Sequence, residues 1–303
     1  MIEQECLLLK TASEISLKSP FVRRFFTKKL EQSIKFSLKR HGIELNKIAR
    51  GGGRLYIFCQ DSEKAQKILL TISGIHATAI AQHFKPAEHD EVESQTVSFA
   101  KKFLKEGDEF AIDARSTGNK LSARDLERNI GAAVMDAIPN LKVKLKNPEK
   151  EIFIEVSKKD FFIYTEQVKG LGGLPSGAEG AVAMFFEGKE DELPAAFLLM
   201  HRGCNIFPIV KKNLKELEEH IAKLVPFNDY RQFALTTEKN LPKLLEERKI
   251  RAIATADSKT DSKSLAEYEK FNKKQNLLVL RPLLLYPEEK KANILKLFVN
   301  EKN

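Results

Sequence analysis

Six consecutive apolar residues, Ala181 to Phe186 (AVAMFF), stand between a glycine-rich stretch and an acidic loop. A strand with one solvated face alternates apolar and polar side chains, whereas an uninterrupted run of this length is a strand covered on both faces. Such strands belong to parallel sheets, whose crossover helices lie on either side. The following residues supply the remaining parts. A helix is predicted over 194–201 and strands over 206–210, 250–254 and 277–280, with helices between them. Residues 181–303 are therefore expected to form an α/β domain of Rossmann-like type.

Upstream, the pattern changes. Strands are predicted at 5–9, 55–59 and 76–82, and helices at 21–41 and 63–70, with room for one more strand near Lys47. The first helix carries Phe25, Leu30, Ile34 and Leu38 near helical spacing and ends at Gly42, and Gly51, Gly52 and Gly53 form a turn. This order suits a small ferredoxin-like α+β unit over 1–86. The acidic stretch 87–94 after Pro86 reads as a linker. A second unit, 87–169, is predicted with helices at 97–104 and 123–137, the latter N-capped by Ser122, and strands at 110–114, 143–145, 152–156 and 161–167. The segment 170–180, with GLGGLPSG, precedes the AVAMFF strand. Phosphate-binding loops follow a strand, so this one reads as a hinge or linker.

Several function classes are disfavoured. No apolar run approaches the roughly 18 residues of a membrane span, and the first residues lack the basic start and cleavage site of a signal peptide, so a cytoplasmic protein without a membrane partner is expected. Three cysteines, Cys6, Cys59 and Cys204, form no CxxC pair, and the six histidines show no HxxxH spacing; no metal site is predicted. Net charge is +9, and residues 1–60 hold 12 Lys and Arg against 5 Asp and Glu. A basic module on a nearly balanced body points to a polyanion, with a solvated lysine-rich surface as the bland alternative. Two clusters stand out. Arg115, Lys120, Arg124 and Arg128 gather around one strand end and one helix, where Arg124 and Arg128 share a face. Lys18, Arg23 and Arg24 lie near a helix start, a position where cations oppose the helix dipole.

Read in order, the segments SEISLKSPFVRRFF (13–26), FAIDARSTGNKLSARDLERNIGAAV (110–134), KLKNPEKEIFIEV (144–156), GLGGLPSGAEGAVAMFF (170–186), PAAFLLMHRG (194–203) and LRPLLLYPEE (280–289) resemble the tRNA 4-thiouridine synthetases (tRNA sulfurtransferases), especially their archaeal branch. The resemblance implies an N-terminal ferredoxin-like domain, a THUMP RNA-binding domain over 87–169, and a shortened PP-loop ATP pyrophosphatase domain over 181–303. It implies that the two N-terminal units grip tRNA through Lys18, Arg23, Arg24, Arg115, Lys120, Arg124 and Arg128, and that a homodimer is compatible with the family.

One departure bears on chemistry. The family's active loop reads SGGxDS, in which glycine amides and serine hydroxyls wrap a pyrophosphate. Here the aligned residues are Glu187, Gly188, Lys189, Glu190, Asp191 and Glu192, of which only Gly188 and Asp191 match. Four acids and one lysine would repel a triphosphate, and Lys189 replaces a glycine needed for close approach. ATP and magnesium would bind only if this altered loop were still competent; otherwise it reads as a solvated turn. The residues after 254 read Thr255-Ala256-Asp257-Ser258 where relatives carry a TGES-like motif, and Cys204 reads as a packing residue rather than a sulfur carrier. Three readings follow: a catalytically degenerate tRNA-binding protein working with a catalytic tRNA-modifying or sulfur-donor partner; an active ATP-dependent tRNA thiolase; or a Rossmann-like enzyme repurposed for a metabolite or metal.

Overall fold

The computed structural model describes residues 4–211 and 215–299. In chain order the elements are β1 (Gln4–Thr11), α1 (Ser13–Ser16), α2 (Pro20–Arg40), β2 (Leu45–Gly51), β3 (Arg54–Cys59), α3 (Ser62–Leu69), β4 (Ile75–Phe84), α4 (His89–Phe103), β5 (Glu109–Ser116), α5 (Ala123–Ala137), β6 (Lys142–Val143), β7 (Lys150–Val156), β8 (Phe161–Tyr164) and β9 (Val168–Gly172). They continue with β10 (Ala181–Phe186), α6 (Glu192–His201), β11 (Asn205–Val210), α7 (Lys215–Ala222), β12 (Thr236–Thr237), α8 (Leu241–Glu247), β13 (Ala252–Ala254), α9 (Ser262–Lys274), β14 (Leu278–Leu280) and α10 (Glu288–Leu295). Packing divides the chain into two compact units: Met1–Thr11, Gly42–Leu70 and His76–Lys169 in one, and Ala12–His41, Thr71–Ile75 and Gly170–Asn303 in the other.

The first unit is built on one sheet in the order β2-β3-β1-β4-β8-β7-β5-β6. The ferredoxin-like strands and the strands of the following segment are continuous, because β4 pairs antiparallel with β8 through Gln82 and Ile163, His83 and Phe162, and Phe84 and Phe161. Aromatic faces reinforce the junction. Tyr56 stacks on Phe162 with centroids 4.0 Å apart, and Phe153 stacks on Tyr164 at 5.0 Å. Beneath them Glu155 is buried, held by Arg54 Nε at 3.1 Å and the Tyr164 hydroxyl at 3.1 Å. The strand expected near Lys47 is β2, which turns into β3 at Gly52 and Gly53, both with positive φ (54° and 77°).

Two local expectations need correction. Residues 87–94 are not wholly a linker, since α4 begins at His89. Asp90 and Glu91 favour the helix N-terminus, and Val92, Thr96 and Ala100, spaced four apart, are buried. Acidity here marks a helix start. The strand expected at 143–145 is only Lys142–Val143, and Leu145 is 81% exposed. By contrast α5 starts as predicted, with Ser122 Oγ accepting the Asp125 amide at 3.1 Å.

The second unit holds a five-stranded, all-parallel sheet in the order β12-β11-β10-β13-β14. Strand β10 is its centre, and both its faces are covered. Val182, Met184 and Phe186 join a core with Leu193, Phe197 and Leu224, while Ala183 packs with Ile209, Ile250 and Ile253 on the other side. The glycine-rich segment is close-packed: β9 covers its first residues, and a Cβ at Gly173 would lie 2.3 Å from the His201 carbonyl oxygen. Helix α2 also packs in this unit, with Ser33 Oγ donating to buried Asp229 Oδ2 at 2.7 Å and Ser37 Oγ to the Asp229 carbonyl at 3.2 Å.

Candidate functional site

At the carboxyl ends of β10 and its neighbour β13 the connections part, from β10 to β11 on one side and from β13 to β14 on the other. Open parallel sheets bind ligands at such a switch point. The loop 187–191 sits here, followed by α6. Gly188 adopts φ +91°, a conformation that favours glycine. The turn aims its amides inward, as a phosphate cradle would. A carboxylate already fills that cradle. Glu192 Oε1 accepts the Glu187 amide at 2.7 Å, and Oε2 accepts the Gly188 amide at 3.0 Å. Glu192 is only 2% exposed, so the loop is not simply a solvated turn. Burial raises its pKa, and the amides of Glu187, Gly188 and Lys189 work against that rise. His220 Nε2 lies 3.6 Å from Glu192 Oε2, too far for a hydrogen bond. Burial also lowers the His220 pKa, which favours the neutral imidazole beside Glu192.

Two other acids of the loop, Glu187 and Asp191, are paired with lysines. Glu187 accepts from Lys211 and forms an ion pair with Lys189. These hydrogen bonds hold its pKa down at about 2. The Lys189 ammonium is thereby held on Glu187. Asp191 pairs with Lys291 Nζ at 3.1 Å and accepts Ser258 Oγ at 3.2 Å. Asp257 accepts Thr255 Oγ1 at 2.8 Å and Arg281 Nε at 2.9 Å, and the Arg281 guanidinium covers the Tyr268 ring at 4.6 Å. Some of these groups line a cavity of about 410 Å³, where Glu187, Glu192, Glu238, Asp257 and Glu267 stand against Lys189 and Lys211. With Arg281 held on Asp257, five carboxyl groups face three cations, an acidic excess that disfavours a polyphosphate. Among the described residues, no group of three or more His, Cys, Asp or Glu side chains is arranged to hold a metal ion. Cys204 is half-buried, and desolvation raises its pKa, which keeps the thiol protonated.

The basic residues singled out from sequence fare differently. Arg124 and Arg128 are exposed and line one groove of about 680 Å³ with Met135, Val143 and Leu145. Arg128 Nη2 also reaches Asp125 at 3.2 Å, an exposed pair worth little. Lys120 is exposed on the preceding loop. Arg115, in contrast, donates to the Gly52 carbonyl at 2.7 Å and helps anchor the β2–β3 turn. Lys18 and Arg24 are exposed, and the Arg23 guanidinium bends back toward the Ser16 carbonyl at 3.4 Å.

Comparison with known proteins bears on this layout. The ThiI ferredoxin-like domain family matches residues 7–79, and the THUMP domain family matches residues 86–166. A probable tRNA sulfurtransferase from Methanosarcina mazei is 34% identical over 224 residues, covering 72% of this chain and 55% of that protein. Another from Methanosarcina acetivorans is 34% identical over 212 residues, covering 68% of this chain and 51% of its own length. The chain belongs to the tRNA sulfurtransferase family. It spans about half the length of these curated relatives. Among solved structures, PH1313 from Pyrococcus horikoshii superposes with a TM-score of 0.85 at 23% identity, covering 97% of this chain and 99% of that one. A 4-thiouridine synthetase–RNA complex with bound ATP superposes with a TM-score of 0.79 at 20% identity, covering 98% and 85%. These two likenesses establish the fold.

Among members of the tRNA sulfurtransferase family this chain thus carries an acidic loop after β10, and its internal contacts were not disclosed by the sequence. The sequence showed a loop of four acids, one lysine and one glycine. It gave no sign that Glu192 turns back onto the loop amides, nor that Lys211 and Lys291, 20 or more residues away in sequence, neutralise Glu187 and Asp191. Arg281 had a signal, since it opens the RPLLLYPEE segment of the family-like motif, but its grip on Asp257 depends on two strands meeting.

Proposed function

We propose that this chain binds tRNA and that its parallel-sheet domain does not itself activate tRNA with ATP. It presents tRNA to a catalytic or sulfur-donating partner. One observation carries the second half: the amides that would hold a pyrophosphate are occupied by Glu192. A buried carboxylate on two amides is a strong, pre-formed competitor for any incoming anion, and the acidic lining adds repulsion. The protonated half-buried Cys204 is a poor nucleophile for sulfur transfer. Membership of the family, its THUMP segment and the exposed Arg124, Arg128 and Lys120 support the RNA-binding half. The relation to a 4-thiouridine synthetase bound to RNA supports the same reading.

The decisive experiment combines purified protein, tRNA, magnesium and α-labelled ATP, with tRNA binding measured alongside. Binding without AMP release is the expected result. AMP release that depends on tRNA would overturn the non-catalytic half, and absent tRNA binding would overturn the other half.

A further inference from the structure

The outward face of α2 mixes rings and cations. Phe26, Leu30, Ile34 and Leu38 are buried on its inner side. On the outer side exposed Phe21, Arg24, Phe25, Lys28, Gln32, Lys35 and Phe36 include the three- and four-residue steps 21-24-28-32-35 and 21-25-28-32-36, so they form one stripe. Phe21 is 84% exposed and Phe25 45%. Phe36 is covered by the Arg231 guanidinium at 4.7 Å, whereas Phe21 is open to solvent, and half-exposed Phe25 has the Lys29 ammonium at 5.7 Å and the tilted ring of buried Phe26 at 5.8 Å. Along the helix, seven Lys or Arg residues face a single acid, Glu31. No acid occupies the first turn, where one would be favoured, while Arg23 and Arg24 follow directly after it. An isolated exposed phenylalanine is unremarkable, but two open rings one helical turn apart in an almost purely cationic stripe are not.

We propose that this stripe is a stacking platform for unpaired nucleotides of the bound RNA. Phe21 and Phe25 take the faces of bases, and Arg24, Lys28 and Lys35 take the phosphates. Rings four residues apart lie about 6 Å apart along a helix axis, a spacing that serves neighbouring unstacked bases. Aromatic faces between cations are how proteins hold single strands. A paired stem offers these rings nothing, because its bases are already stacked. A bilayer is the weaker match: a membrane-lying helix separates its rings from its cations on different faces, and here the second face is buried in protein. The inference rests on the tRNA-binding reading and narrows it to a kind of nucleotide at a named helix.

The test uses the full chain and two labelled RNAs, a hairpin with a short unpaired tail and the same hairpin cut blunt. Substitution F21A/F25A removes exposed side chains and leaves the inner face of α2 intact. It should weaken binding of the tailed RNA by about tenfold or more and change blunt-hairpin binding by less than about twofold. A 2-aminopurine in the tail should be quenched by the wild-type protein and not by the variant. Equal losses on both RNAs, or no loss on either, would overturn the proposal while leaving tRNA binding in place. Tight binding of anionic vesicles by the wild type but not the variant would overturn it in favour of a membrane. A change of oligomeric state in the variant with RNA affinity unchanged would reassign the stripe to a contact between copies. Failure of the wild type to bind either RNA or tRNA would remove the reading on which the proposal rests.

Discussion

Replacing Glu192 with Ala removes both carboxylate oxygens from the loop and leaves the amides of Glu187 and Gly188 without their acceptor. Hydrogen bonds to a charged group contribute about 1.5–3 kcal/mol each, so two are worth roughly 3–6 kcal/mol. Part of this is returned, because burial disfavours the carboxylate, as its raised pKa shows. Water entering the space left by the side chain offsets a little more. The expected net loss is roughly 2–4 kcal/mol, confined to the parallel-sheet domain. Amide hydrogen exchange reads this locally: protection at Glu187 and Gly188 should fall by about 30- to 1,000-fold, while β1 to β3 are unchanged. Added pyrophosphate should then stabilise E192A, by about 2.7 kcal/mol at a hundred times its Kd, and leave the wild type unaffected. An exchange change of less than about threefold, or wild-type binding of pyrophosphate as tight as the variant's, would show that Glu192 does not occupy the loop amides in solution.

Three further outcomes are expected. R124A/R128A should weaken tRNA binding at low salt and reduce the slope of log affinity against log salt by about 1–2, as measured by fluorescence anisotropy; an unchanged slope would remove these residues from the interface. The Glu187 carboxyl should titrate at about 2 in the wild type, and in K189M/K211M it should return toward the ordinary value near about 4.3, followed by NMR. Since its folded pKa is depressed, its ion pairs stabilise the loop above about pH 4.3 and are lost as pH falls through about 2. G173A should cost at least about 2 kcal/mol in urea denaturation, because φ is +74° and the new Cβ would meet the His201 carbonyl oxygen at 2.3 Å; a neutral effect would show that this segment is free to shift.

Much of the fold was legible from local chemistry. AVAMFF announced a strand covered on both faces, and Val182, Met184 and Phe186 do turn to one core while Ala183 turns to another, because side chains alternate along a strand whatever surrounds it. Ser122 announced the start of α5, since a cap needs only its own residue and an amide three positions on. Residues 87–94 were misread because acids serve a helix N-terminus as well as a loop, and only the burial of Val92 and Thr96 against other elements separates the two. The stripe of Phe21 and Phe25 was present in the spacing, but a helical phenylalanine is usually core, and the exposure of these two depends on which face the rest of the protein covers.

The candidate loop shows the same division. Sequence alone determined that it lacks the residues of a pyrophosphate cradle and carries four acids and one lysine. Only tertiary structure decided what those charges do. Glu192 returns to its own loop because Gly188 adopts a left-handed turn and α6 begins directly behind it, and Lys211 and Lys291 meet Glu187 and Asp191 because β11 and α10 bring them there. Charges a few residues apart fix a local sum, but their energies depend on burial and on partners from distant segments, and those are properties of the packed sheet.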